Sequence, residues 1–283
     1  MPPLAILLLL VSAILHTTWN VLLKQANDKF VSAWWAVLVG SIIFLPFLFF
    51  TGLPSKQTWI LLAISVCVEV VYYVLLSQAY RDADFSLIYP LARGTAPAWI
   101  ALWSTLILGE KLSWGGWAGL LVIIIGLVIV GSSGIMASKG YIQRRAIFLA
   151  FSIAFLISVY SVIDGAAVKQ TAAFPYAIVV FFLAPAVTSP LVFHNYGWKY
   201  LIQVWTLNRS RLFAIGLLTV LAYLLALVAY SIAPIGYSGA IREVSVVFGA
   251  LAGWKILGER MGGQRLIGSF IIFIGIVMIA IIG

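Results

Sequence analysis

Apolar positions along this chain come in long unbroken runs, with no sustained alternation of apolar and polar residues. The runs fall at 4–23, 31–51, 59–80, 87–108, 114–131, 146–168, 176–193, 212–232, 237–257 and 266–282. Each is near the ~20 residues that a helix needs to cross a bilayer, within a usual range of ~17–25. Ten transmembrane helices are therefore predicted. Polar positions are confined to the short gaps and to a few places inside the runs. The longest gaps, 132–145 and 194–211, are too short for a soluble domain. Whatever this protein does is done in or beside the membrane. The first run lacks the basic start of a secretory signal and stays apolar to about Leu23, so it reads as the first membrane helix.

The polar interruptions repeat. A shift of 149 residues lays Arg93 on Arg242, "LGEK" at 108–111 on "LGER" at 257–260, and Gly119 and Gly126 on Gly268 and Gly275. A shift of 150 lays Tyr73 on Tyr223 and Tyr80 on Tyr230, and one of 144 lays His16 and Asn20 on Tyr160 and Asp164. Apolar helices match by chance in Leu, Ile and Val, but far less readily in Arg, Gly-Glu and Tyr at nearly constant offsets. The expected architecture is thus five helices plus five, residues 1–135 and 136–283. An odd number of spans turns the second half upside down relative to the first. Inverted repeats of this kind build many secondary transporters, with the substrate site near the midplane between them. The fold class expected is all-α integral membrane, two inverted five-helix repeats around a central cavity.

Composition sharpens the class. Apolar residues make up 64% of the 283 and charged residues 9%, against ~45–50% and ~25% in soluble domains. The net charge of +9 does not point to nucleic acid, because the basic residues lie mostly in the gaps and form no single face. Their distribution sets an orientation instead. Twelve Lys and Arg residues fall in the gaps after odd-numbered runs, against Lys56, Lys111 and Lys169 on the other side. The positive-inside rule then puts the richer side in the cytoplasm and both termini outside. A multi-pass protein of a bacterial or archaeal plasma or inner membrane is expected. The single cysteine, Cys67, excludes an intramolecular disulfide and a multi-cysteine metal site.

The polar residues inside the runs are the candidates for chemistry. Arg93 and Arg242 stand at matched places, and a charge at the centre of a lone span costs ~2.5–3.5 kcal/mol on the insertion scale. Either each arginine snorkels or pairs with a carboxylate, or both line a polar cavity and bind anionic groups. Pro90 and Pro97 flank Arg93 and Gly94 and remove backbone hydrogen bonds. With Gly239 in "GYSGA" they are hinge candidates. Glu69 lies mid-span, followed by Tyr72, Tyr73 and Tyr80 on a polar-aromatic face. It is either a proton-loading carboxylate or the structural partner of Arg93 or Arg242. His16 and Asn20 share one helical face, as do Tyr160 and Asp164. Glu243 beside Arg242 has no counterpart in the first half, where Gly94 stands. Asp164 and Glu243 join Glu69 as candidate proton sites. Trp19, Tyr89, Tyr73 and Tyr223 are candidate substrate contacts, although interfacial belts explain most membrane tryptophans. The glycines of the fifth and tenth runs, and "LGE[KR]" as a helix end with a left-handed Gly, read as packing and topology features.

No catalytic constellation, metal-ligand spacing or phosphate-binding loop stands out, so neither an enzyme, a cofactor nor direct drive by ATP is expected. Taken together, the "HTTWNVLLK" start, "YPLARGTAP", "REVSVVFGALAGWKILGER" and the two "LGE[KR]" repeat ends resemble EamA-type members of the drug/metabolite transporter superfamily over nearly the whole chain. The resemblance implies export or exchange of a small metabolite by alternating access. It also implies that spans one, three, four, six, eight and nine surround the cavity, while spans five and ten lie at the periphery and hold the bundle or a dimer together. On that scheme His16, Asn20, Glu69, Tyr73, Arg93, Asp164, Tyr223 and Arg242 face the cavity.

The leading expectation is a secondary transporter for a small anionic or zwitterionic metabolite such as an amino acid, with Arg93 and Arg242 on its acidic group and protons as the coupling ion. The rival within transport is a cationic or drug-like amphiphile held by Glu69, Asp164 and tyrosines. From another class, a lipid-intermediate flippase accessory or a non-transporting assembly subunit also fits. The expected partners are the substrate, lipid and protons, the protein being a monomer or homodimer.

Overall fold

The computed structural model describes residues 1–82, 85–137, 144–257 and 263–282, and these are helical apart from short connections. In chain order the helices are α1 (Pro3–Lys24), α2 (Lys29–Phe44), α3 (Leu48–Thr51), α4 (Trp59–Asp82), α5 (Phe85–Leu106), α6 (Trp114–Ala137), α7 (Arg144–Val168), α8 (Ala173–Ile232), α9 (Ile235–Arg242), α10 (Ser245–Leu257) and α11 (Gly263–Ile282). Among the described residues, five helical segments have the length and composition to cross a membrane: Pro3–Lys24, Lys29–Thr51, Lys56–Leu76, Arg145–Val168 and Ala173–Ile232. Large apolar side chains such as Phe49, Leu102, Phe148 and Phe270 point outward. Ser12, Glu69, Arg93, Asp164 and Arg242 are buried inside. This inversion of the soluble arrangement is what a lipid surround requires, and the protein is an all-α integral membrane protein.

Two expected elements differ from what is found. The gap at 194–211 is not a loop: α8 is helical from Ala173 to Ile232 except at Gly197, whose φ of 70° is open to glycine at no steric cost. A straight helix of that length would run about 90 Å. Instead Phe181 and Tyr223 stack edge to face 5.0 Å apart, so α8 doubles back as a hairpin. The helix resumes after Gly197 because Leu201 and Val204 bury against Val31 and Trp34 of α2, giving this stretch an apolar stripe.

The run at 237–257 is not one helix either. It divides at Glu243 and Val244 into α9 and α10, the backbone tightening to i→i−3 bonds such as Val244 N–H to Ile241 O at 3.1 Å. The hydroxyl of Thr17 on α1 lies 2.9 Å from the Ser245 carbonyl just beyond the break.

Packing follows small residues. α6 and α11 meet at reciprocal glycines: a Cβ on Gly126 would fall 2.8 Å from the Gly268 carbonyl oxygen, and one on Gly268 equally close to that of Gly126. α5 lies against α6, α7 and α9, while α1 and α2 lie against α8. The described "LGEK" segment behaves as its sequence suggests, with Gly109 left-handed at φ 66° after α5. In "LGER", residues 258–260 lie outside the described residues.

Candidate functional site

Two polar clusters occupy the interior, one around each arginine. α5 carries Arg93 inward, and Pro97 four residues on has no N–H for the Arg93 carbonyl. α5 nevertheless runs unbroken past Pro90, Gly94 and Pro97. The Arg93 guanidinium donates from Nη1 to Glu243 Oε1 at 2.7 Å, both side chains being almost fully buried. From Nη2 it donates to the His16 ring at Nε2. The carboxylate that neutralises Arg93 thus comes from the other half of the chain, at the turn between α9 and α10.

Arg242 is held differently. Its Nη1 donates to Tyr230 Oη at 3.1 Å and its Nη2 to Tyr160 Oη at 3.2 Å, both neutral acceptors. Among the described residues it has no carboxylate within ion-pair distance. Glu69, on α4, is also buried without an ion pair among the described residues, and its Oε2 has no hydrogen-bond partner there. Asp164 on α7 is fully buried and accepts from Tyr176 Oη at 2.6 Å and from Tyr223 Oη.

A cavity of about 40 Å³ lies between these groups. Its polar wall is formed by His16, Glu69, Tyr160 and Arg242, and its aromatic wall by Trp19, Tyr72, Tyr73 and Tyr223. The tyrosines form a chain of ring contacts, with centroid separations of 5.2 Å for Tyr72–Tyr73, 5.8 Å for Tyr72–Tyr160 and 6.5 Å for Tyr160–Tyr223.

The structure therefore brings His16, Trp19, Glu69, Tyr73, Tyr223 and Arg242 to one cavity. Asp164 stands behind Tyr223, and Arg93 with Glu243 stands behind His16. Asn20 is buried but turned onto its own helix, donating to the His16 carbonyl at 2.8 Å. Gly94 faces Leu127 of α6, and Gly239 is a close approach of α9 to α5, where a Cβ would meet Ile100 Cγ2 at 2.8 Å. The side chains of Tyr89 and Pro90 lie outside the described residues.

Several participants escaped the sequence reading. Tyr160 and Tyr230 were visible as repeat partners of His16 and Tyr80, yet their role as the cradle of Arg242 was not. Tyr176 has no internal match and is found only through its contact with Asp164. Glu110 of "LGEK" does more than end a helix. Its Oε1 accepts the Ile235 N–H at 2.8 Å and its Oε2 the Gly236 N–H at 3.1 Å, while Lys169 Nζ donates to Oε1 at 2.7 Å. Glu110 thereby pins the start of α9, the helix that ends in Arg242. A carboxylate on free helical N–H groups also complements the helix dipole.

The sequence model of the EamA-like transporter family matches residues 3–132 and 144–281 of this chain. The chain is similar to the pseudopaline exporter CntI of Pseudomonas aeruginosa, with 22% identity over 287 residues that cover 97% of this chain and 95% of that protein. A solved crystal structure covers 99% of both chains with a TM-score of 0.78 at 18% identity, a likeness of fold alone.

Proposed function

Because this chain belongs to the EamA-like transporter family and is a multi-pass membrane transporter, we propose that it carries a small zwitterionic or anionic metabolite, such as an amino acid, by alternating access. One observation carries the substrate class. Arg242 and Glu69 line the same cavity, and neither has an ion-pair partner among the described residues. Burying a charge is costly unless it is paired. A ligand that brings a carboxylate to Arg242 and an ammonium to Glu69 supplies both missing partners at once. The tyrosine faces add a cation–π attraction of ~0.5–2 kcal/mol for the ammonium end.

Arg93 takes no direct part in this reading, because Glu243 already answers its charge. Glu69 is the proton site, loading a proton when no ammonium is present, with Asp164 behind Tyr223 on the same cavity wall. Bending during the cycle is assigned to the turn after Arg242, with Pro97 and Gly94 softening α5 opposite. The double match of the family model supports two inverted repeats, 1–135 and 136–283. Similarity to an exporter favours outward transport.

The test is a thermal-shift screen on detergent-purified protein with zwitterionic, anionic and cationic metabolites. A ligand that binds only the folded state raises stability with concentration over affinity. Amino acids should stabilise the native chain, and Arg242→Ala should remove the effect while Arg93→Ala retains it in whatever protein remains folded. The second reading, a cationic amphiphile on Glu69 and the tyrosines, rests on the unpartnered Glu69 oxygen. Stabilisation by cations that survives Arg242→Ala and disappears in Glu69→Gln would establish it and overturn the first.

A further inference from the structure

A second cavity of about 40 Å³ adjoins the polar one and shares two walls with it, Trp19 and Tyr73. Its character is opposite. α1 adds Leu23, α4 adds Leu76, and α8 adds Ala184, Pro185 and Thr188. On α2 it follows one stripe, from Lys29 past Ala33 to Val37. That stripe spans nine residues, eight steps of ~1.5 Å or about 12 Å, so the cavity is a slot parallel to the helices. The aromatic pair Trp19 and Tyr73 stands between it and the polar cavity. Lys29, at the first turn of α2, is the one charged side chain among its described lining residues.

Lys29 has no ion pair among the described residues. The adjacent carboxylate, Asp28, is occupied on both oxygens, accepting the Val31 N–H at 3.0 Å and the Tyr200 hydroxyl at 3.0 Å. A cationic rim, an apolar slot and an aromatic partition leading to a charged cavity form an ordered sequence of environments.

We propose that this slot is an outer subsite of the transport path, taking small carboxylates that carry an apolar body. Lys29 holds the carboxylate at the mouth, the body lies along Phe30, Trp34 and Val37, and movement of Trp19 and Tyr73 passes the molecule inward to Arg242. The proposal rests on the reading of the polar cavity as the substrate site, and it narrows the cargo to amphipathic acids or amino acids with apolar side chains.

The test needs no knowledge of the natural substrate. Ala33→Cys is made in a Cys67→Ser background and placed in proteoliposomes. The anionic sulfonatoethyl and cationic trimethylammonioethyl methanethiosulfonates are added to one face and then to the other, and labelling is followed by mass spectrometry. Labelling is expected from the Lys29 face alone, with the anionic reagent favoured on the order of tenfold relative to a free thiol, the scale on which a charged cleft concentrates ions. Lys29→Gln should erase that preference and Lys29→Arg should keep it. Millimolar phenylpropionate should slow labelling, and phenethylammonium should not. A thiol unreactive from both faces, or one labelled with no charge preference in the Lys29 protein, overturns the proposal. Arg242→Ala leaves the labelling pattern intact, so failure of the inner site and failure of the outer one are read separately.

Discussion

Two arginines at matched positions have different surroundings, and the difference lies in one neighbour. Where the second half has Glu243, the first has Gly94, and the only carboxylate of that pair goes to Arg93. Removing one member of a buried ion pair leaves the other unpaired and typically costs about 3–5 kcal/mol, whereas replacing both with apolar groups is often neutral or better. Arg93→Ala is therefore expected to destabilise the protein severely, and Arg93→Met combined with Glu243→Leu to recover most of the loss. Denaturation of the three proteins in detergent measures this, and a double variant no better than the single one would show that the pair does more than balance charge. Arg242, cradled by neutral hydroxyls, is expected to matter for ligand rather than for folding. The sequence exposed both arginines and the odd Glu243 but could not show which arginine was answered. That depends on where the α9–α10 turn points its first side chain, a property of the assembled bundle.

At the scale of elements, apolar run length located most helices because the bilayer imposes one length on all of them. It failed where packing overrode the run. The polar stretch 194–211 reads as a loop by composition, yet Leu201 and Val204 draw it into helix against α2. The run at 237–257 reads as one helix, yet it turns at Glu243 to reach Arg93. Each depends on a partner elsewhere in the chain, α2 for the first and Arg93 for the second. Glu110 is the clearest case of an element held from outside. Its carboxylate receives the first two N–H groups of α9, and its ion pair with Lys169 is partly exposed. Loss of a capping side chain usually costs about 0.5–2 kcal/mol, and an exposed pair typically ~0.2–1 kcal/mol. Glu110→Ala should thus lower stability by more than Lys169→Met and also reduce transport, because α9 positions Arg242. Equal transport in the two variants, measured in the same proteoliposomes, would detach Glu110 from the site.

For the whole molecule, the class was legible from composition, since lipid leaves its mark along the entire chain. Orientation rests on the distribution of Lys and Arg. An alkaline phosphatase fusion after residue 283, which is active only outside the cytoplasm, is expected to be active, and the same fusion placed in the segment around Lys139 inactive. The reverse pattern would invert the assignment of faces. The ion pair between Arg93 and Glu243 also bears on whether the chain can be made in two pieces. A piece ending near residue 135 holds the arginine without its acid, and a piece starting near 136 holds the acid without its arginine. Each piece made alone would carry a buried charge that only the other answers, so the two are expected to depend on each other for stability.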